Sequence, residues 1–178
     1  LAPGAQERPF PIPGWTLPGV LTVGAAQELL KTSGLVPEGR LVLAGSGPLL
    51  WLLAMQYLRV GVVADLLLDT TPKGRYAEAA SHALGFLTSD YFVRGMKLLR
   101  EVKARVRVVE AVTALAAEGE GRLASVRYEK DGTTQTVGSA TTLKPWMVVA
   151  PIAAERSMVT SSVIVMPLFR LTNPRAIV

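Results

Sequence analysis

Cysteine is absent and histidine occurs once, at His82. The first absence excludes disulfides, thiolate catalysis and cysteine-held zinc or iron–sulfur sites carried by this chain alone, and the second excludes a histidine-based metal cluster. Charge is sparse too: 19% of the 178 residues are charged and 49% are hydrophobic, a balance near the globular average and far from the disordered class. The net charge of +5 is spread out and is densest in RGMKLLREVKARVR, whose helical spacing reads as a solvated helix face, so no nucleic-acid partner is expected.

Long uninterrupted apolar runs are also lacking. Leu41 to Leu58 holds no charged residue, but Gly45, Ser46, Gly47 and Pro48 interrupt it and Gln56 lies within it. A strand, a turn and a buried helix explain it better than a membrane span. No basic stretch followed by an apolar core opens the sequence, and the expectation is a soluble, cytoplasmic protein.

What is present reads as alternating elements. Residues 1 to 20 hold five prolines and three glycines and predict an extended, turn-rich lead-in. VGAAQELLKTS, residues 23 to 33, predicts a short helix stopped by Gly34. LVLA is a short continuous apolar run of the kind a doubly buried parallel strand requires, and LLWLLAMQYLR after it predicts a buried helix that Gly61 can cap. VVADLLLD, residues 62 to 69, predicts the next strand, completing a βαβ unit.

From Tyr76 to Arg105 the pattern is helical, with Tyr91, Met96, Leu98, Leu99 and Val102 set inward. Residues 106 to 119, 121 to 130 and 133 to 143 predict three strands of an antiparallel meander, with Asp131-Gly132 as a hairpin turn. Apolar runs around 147 to 152 and 162 to 166 follow. The expected fold class is α/β: a Rossmann-like three-layer nucleotide-binding domain with a parallel sheet and an antiparallel β-meander.

The chemistry concentrates in Gly45-Ser46-Gly47-Pro48-Leu49. A dinucleotide-binding turn needs a first glycine for the tight turn, a second to let a pyrophosphate approach and a third for close helix–strand packing; the following helix then offers its N–H groups and positive dipole end. Gly45 and Gly47 fill the first two positions and Leu50 stands at the third. Pro48 suits the first helical position but removes one donor. Asp69 lies 24 residues after Gly45, where an acid binds ribose hydroxyls and favours NAD over NADP; it equally suits a cap of the helix that follows Thr70 and Thr71. His82, Trp15, Trp51 and Trp146 read as packing or surface residues, and no residue reads as catalytic.

LAPGAQERPFPIPGWTLPGVLTVGAAQELLKTSG followed by GRLVLAGSGPLL resembles the large flavoprotein subunit of dye-linked amino-acid and opine dehydrogenases. That group includes proline and hydroxyproline dehydrogenases, octopine or nopaline oxidases and hydrogen cyanide synthase, and is similar to the pyridine nucleotide-disulfide oxidoreductases. The resemblance implies that LAPGAQERPFPIPGW closes an FAD domain, with Ala2-Pro3-Gly4-Ala5 in place of the usual A-T-G-A, and that PGWTLPGV crosses into a second Rossmann-like domain. It continues through GRYAEAASHALGFLTSDYFVRGMKLLREVKARVRVV and the meander and fades after Thr142, where the family's hydrophobic-G-x-x-P-N strand is not seen. The FAD domain's own first strand and glycine turn are absent from the sequence, which leaves FAD binding incomplete here. The implied division is a crossover segment at 1–37, an NAD(P)-type domain at 38–142 and a divergent apolar tail at 143–178.

Two functions follow. One is the NAD(P)-type nucleotide-binding domain of a flavin-dependent oxidoreductase acting on amino acids or related amines, taking NAD(H) or another adenine nucleotide and inactive as an isolated chain. The other is a non-catalytic Rossmann scaffold within a multi-subunit dehydrogenase. A second dehydrogenase subunit, or another copy of this chain covering the apolar tail, is the expected partner.

Overall fold

A computed structural model describes residues 11–74, 90–138, 145–149 and 169–171. Its centre is a parallel sheet whose strands are β1 (Val20–Thr22), β3 (Arg40–Gly45), β4 (Leu66–Asp69), β5 (Val108–Glu110) and β9 (Pro145–Val149), in the spatial order β1-β9-β3-β4-β5. Three helices, α1 (Val23–Ser33), α2 (Pro48–Arg59) and α3 (Asp90–Arg105), contribute to one core, and a three-stranded antiparallel sheet of β6 (Val112–Glu118), β7 (Ser125–Lys130) and β8 (Thr133–Gly138) contributes to the other. A small pair, β2 (Leu35–Pro37) with β10 (Phe169–Leu171), is antiparallel. The expected fold class is what the structure has. The central sheet draws strands from all three stretches that the sequence reading divided at residues 38 and 142.

Strand periodicity explains the layering. Along β3, Leu41 and Leu43 join the helix-side core while Val42 and Ala44 join the meander-side core; in β4, Leu67 goes one way and Leu66 and Leu68 the other. Successive side chains of a strand point to opposite faces, so a sheet covered on both sides needs the unbroken apolar runs LVLA and LLL.

The helices carry their own start and stop signals. Thr22 Oγ1 accepts from the Ala25 N–H at 3.1 Å to cap α1, and Gly34, in the left-handed region at φ 62°, ends it. Val23, Ala26 and Leu30 form its buried stripe. In α3, Val102 is buried and Leu98 and Leu99 are partly so, whereas Met96 is exposed. Met96 is therefore not inward: at 3.6 residues per turn it lies about 200° round the helix from Leu98, away from the face that Leu98, Leu99 and Val102 share.

Two further differences have local causes. Residues 106 to 119 make two strands rather than one, because Ala111 sits at φ 59° and turns the chain from the parallel sheet at β5 into the meander at β6. The strand expected over 62 to 69 begins only at Leu66; before it, Asp65 accepts from the Leu41 N–H at 2.8 Å and bonds Arg40, so its side chain fastens the chain ahead of the ladder. Of the lead-in, residues 1–10 lie outside the described residues; residues 11–19 are turn-rich as expected and run beside β6, where the Ala117 N–H donates to the Pro13 carbonyl. The helical stretch before Asp90, with His82, and the apolar run at 162 to 166 lie outside the described residues. No helix among the described residues is long and apolar enough to cross a membrane.

Candidate functional site

The strand order fixes where a ligand can sit. From β3 the chain steps to β4 and β5 on one side, and β9 pairs with β3 on the other. The direction of the sheet's growth therefore reverses at β3, and in open α/β sheets ligands bind beyond the carboxyl end of the strand at such a switch point. The residues found there are Gly45 to Leu49.

Gly45 and Gly47 both take positive φ, 133° and 85°, conformations that side chains disfavour. Nothing lies within 4 Å of where a Cβ on Gly47 would stand, so the backbone at the start of α2 faces open space. Pro48 is the first residue of α2, and no side chain caps that end. Its first-turn N–H groups are the kind that a phosphate satisfies, reinforced by the helix dipole. Ser46 is half-buried, Leu49 is exposed, and Leu50, at the third glycine's position, is fully buried in the core with Leu43, Leu53 and Leu67.

Asp69 is the register partner of Gly45 in the β3–β4 ladder, so the structure brings the glycine turn and the acid together across one pair of strands. The Thr70 N–H donates to the Gly45 carbonyl at 2.8 Å. The acid itself is buried, and its Oδ1 accepts from both the N–H and the hydroxyl of Thr71, at 2.9 and 2.6 Å. Asp69 thus fixes the turn that leaves β4, the arrangement an Asx-type turn gives.

Past that turn lies a cleft of about 380 Å³, within the roughly 300–1,000 Å³ typical of small-molecule sites. One wall is Thr70, Pro72 and Lys73 after β4; the second is Ala111, Val112 and Thr113 at the kink between β5 and β6; the third is Asp131 in the β7–β8 turn. Thr70 is 6% exposed and its buried Oγ1 has no hydrogen-bond partner. A hydroxyl buried unpaired costs about 1–3 kcal/mol, a cost that a polar ligand group in reach would offset. Thr70, Lys73, Thr113 and Asp131 were not picked out as ligand residues by the sequence. The Asp-Gly turn was readable as a hairpin, but that this hairpin folds over the end of β4 depends on contacts 58 residues apart, as between Lys73 and Asp131.

No protein-family model matches the chain. It is 48% identical over 128 residues to an opine oxidase subunit of Agrobacterium tumefaciens, a match covering 72% of this chain and 25% of that protein. The corresponding opine oxidase subunit of Rhizobium meliloti is 43% identical over 143 residues, 80% of this chain and 27% of that one. Hydrogen cyanide synthase subunit HcnB of Pseudomonas aeruginosa is 35% identical over 127 residues, 71% and 27% of the two chains. The chain thus spans about a quarter of the length of these relatives. Among solved structures, thioredoxin reductase of T. acidophilum aligns over 83% of this chain and 42% of its own, with a TM-score of 0.48 at 13% identity.

Proposed function

We propose that this chain, similar to the opine oxidase subunits and HcnB, belongs with them to an FAD/NAD(P)-dependent oxidoreductase family and forms the adenine-nucleotide-binding unit of a flavin-dependent oxidoreductase acting on amino acids or related amines. The observation that carries the reading is the open backbone of Gly45-Ser46-Gly47-Pro48 at the switch point, at the uncapped start of α2. A pyrophosphate would lie over Gly47 and the first turn of α2, and the adenosine end in the cleft beside Thr70. The residues fit NAD(H) or another adenine nucleotide. One glycine turn serves one dinucleotide, so with NAD(H) over Gly47 a flavin would need a second such turn, and among the described residues no other of this kind leads from a parallel strand into a helix. Flavin would supply the redox step elsewhere in the enzyme, a second subunit would be the partner, and this segment would bind and orient.

Calorimetric titration with NADH, NADPH, ATP and FAD tests this. Binding of an adenine nucleotide that weakens at least roughly tenfold in Gly47→Ala, in protein that still unfolds cooperatively after the loss of a few degrees that a side chain at φ 85° costs, supports the reading. That substitution adds a Cβ in the path of the phosphates. A second reading, a scaffold that retains the fold without the ligand, is favoured by the burial of Asp69 and its engagement with Thr71; silence for all four ligands would select it.

A further inference from the structure

Among the described residues, the mouth of the cleft carries a cation and an anion that are paired: Lys73 Nζ donates to Asp131 Oδ1 at 3.0 Å. Their side chains are 73% and 62% exposed, so the pair adds little to folding and a ligand can compete for either charge. The two are held differently. Asp131 and Gly132, at φ 49° and 74°, form a two-residue loop closing the Lys130–Thr133 pair, the type I′ turn that fixes a hairpin's register. Lys73 sits on the loop after β4. Asp131 is thus carried on the more firmly set backbone of the two, and it lines the same cleft as Thr70.

We propose that Asp131 determines which adenine nucleotide this cleft accepts, excluding one whose ribose carries a phosphate. The inference rests on the nucleotide reading above. A phosphate monoester carries a charge of about −1.5 to −2 at neutral pH. Asp131 opposes it twice, by its own negative charge and by occupying Lys73, the cation among the described lining residues that could receive it. A ribose with a free hydroxyl meets neither obstacle. Asp69 is turned toward Thr71, so the discrimination expected of the acid at the end of β4 passes to the acid on the facing hairpin.

Asp131→Asn removes the charge and keeps the turn, because Asn-Gly is a favoured type I′ pair. The full chain, D131N and the D131N/K73A double variant are titrated with NADH and NADPH. The wild type should prefer NADH. D131N should improve NADPH affinity roughly fivefold or more, with NADH affinity nearly unchanged, and the gain should shrink in high salt. The double variant should lose it. Unequal binding of the two nucleotides with a ratio that D131N leaves unmoved, or a wild-type preference for NADPH, overturns the inference alone. No binding of either nucleotide by any variant overturns the nucleotide reading and the inference with it.

Discussion

The two faces of the central sheet are built on different terms. The helix side packs large side chains, Leu43, Leu50, Trp51, Leu53, Tyr57 and Leu67, delivered by α2 and the strands beneath it. The meander side packs Val20, Val42, Ala44, Leu66, Val109 and Val126 against Ile12 and Tyr128, mostly shorter groups that let a second sheet approach. Where two sheets face each other, the side chains of both inner faces interdigitate across the space between them. The candidate site lies at the edge shared by both layers: its glycine turn opens a helix of one, and its cleft is walled by a hairpin of the other.

Truncation within one strand compares the faces directly and should give the largest effects. Leu43→Ala removes a fully buried side chain from the helix side and is expected to cost about 3 kcal/mol, while Val42→Ala on the opposite face, with less volume removed, should cost about 2 kcal/mol. Urea midpoints of the two variants check the order, and a costlier Val42→Ala would show that the meander side is the more tightly determined. Gly14→Ala probes the same side from outside. A Cβ at Gly14 would stand 1.9 Å from the Ala117 carbonyl oxygen, and φ there is 76°, so the lead-in must lift from β6. A loss of about 2 kcal/mol is expected, read as a lowered melting temperature; an unchanged one would mean the lead-in does not need that contact.

The asymmetry also explains what could be read in advance. The helix side is encoded locally: Gly34 marks the end of α1, Pro48 opens α2, and the apolar spacing of AMQYL declares a buried face. Those features were legible because capping and periodicity act over a few residues. The glycine turn was legible for the same reason. The cleft was not, because its walls come from the end of β4, from Ala111 and from Asp131, and no local pattern states that they meet. Ala111 is instructive: VRVVEAVTAL reads as one strand, and nothing in its composition marks the residue that turns the chain between two sheets. Spacing left Asp69 between ribose binding and a cap of the next helix, and its bond to Thr71 was neither.

A smaller effect is expected at the start of α1. Thr22 is buried and caps the Ala25 N–H, and Thr22→Ala should cost about 1 kcal/mol. For a chain of this size that lowers the melting temperature by roughly 2–4 °C. Thr22→Ser, which keeps the acceptor, should recover most of it; a serine variant no better than alanine would assign the loss to packing of the methyl group instead.

The smallest expected change runs in the opposite direction. Tyr57 is fully buried on the helix side and its hydroxyl has no hydrogen-bond partner, whereas Tyr128 on the meander side donates to Gln135 Oε1 at 2.6 Å. Deleting an unpaired buried hydroxyl relieves a desolvation cost, so Tyr57→Phe should stabilise by up to about 1 kcal/mol, while Tyr128→Phe should destabilise by a similar amount. Burial also pushes the Tyr57 phenol well above its ordinary pKa of 10.0. Stability that depends on the neutral phenol is complete below that value and falls as pH rises past it, because the unfolded chain ionises first. Guanidinium melts of wild type and Tyr57→Phe at neutral pH and at about pH 10.5 should therefore diverge further at the higher pH, and curves that stay parallel would mean that water reaches the hydroxyl through the helix layer.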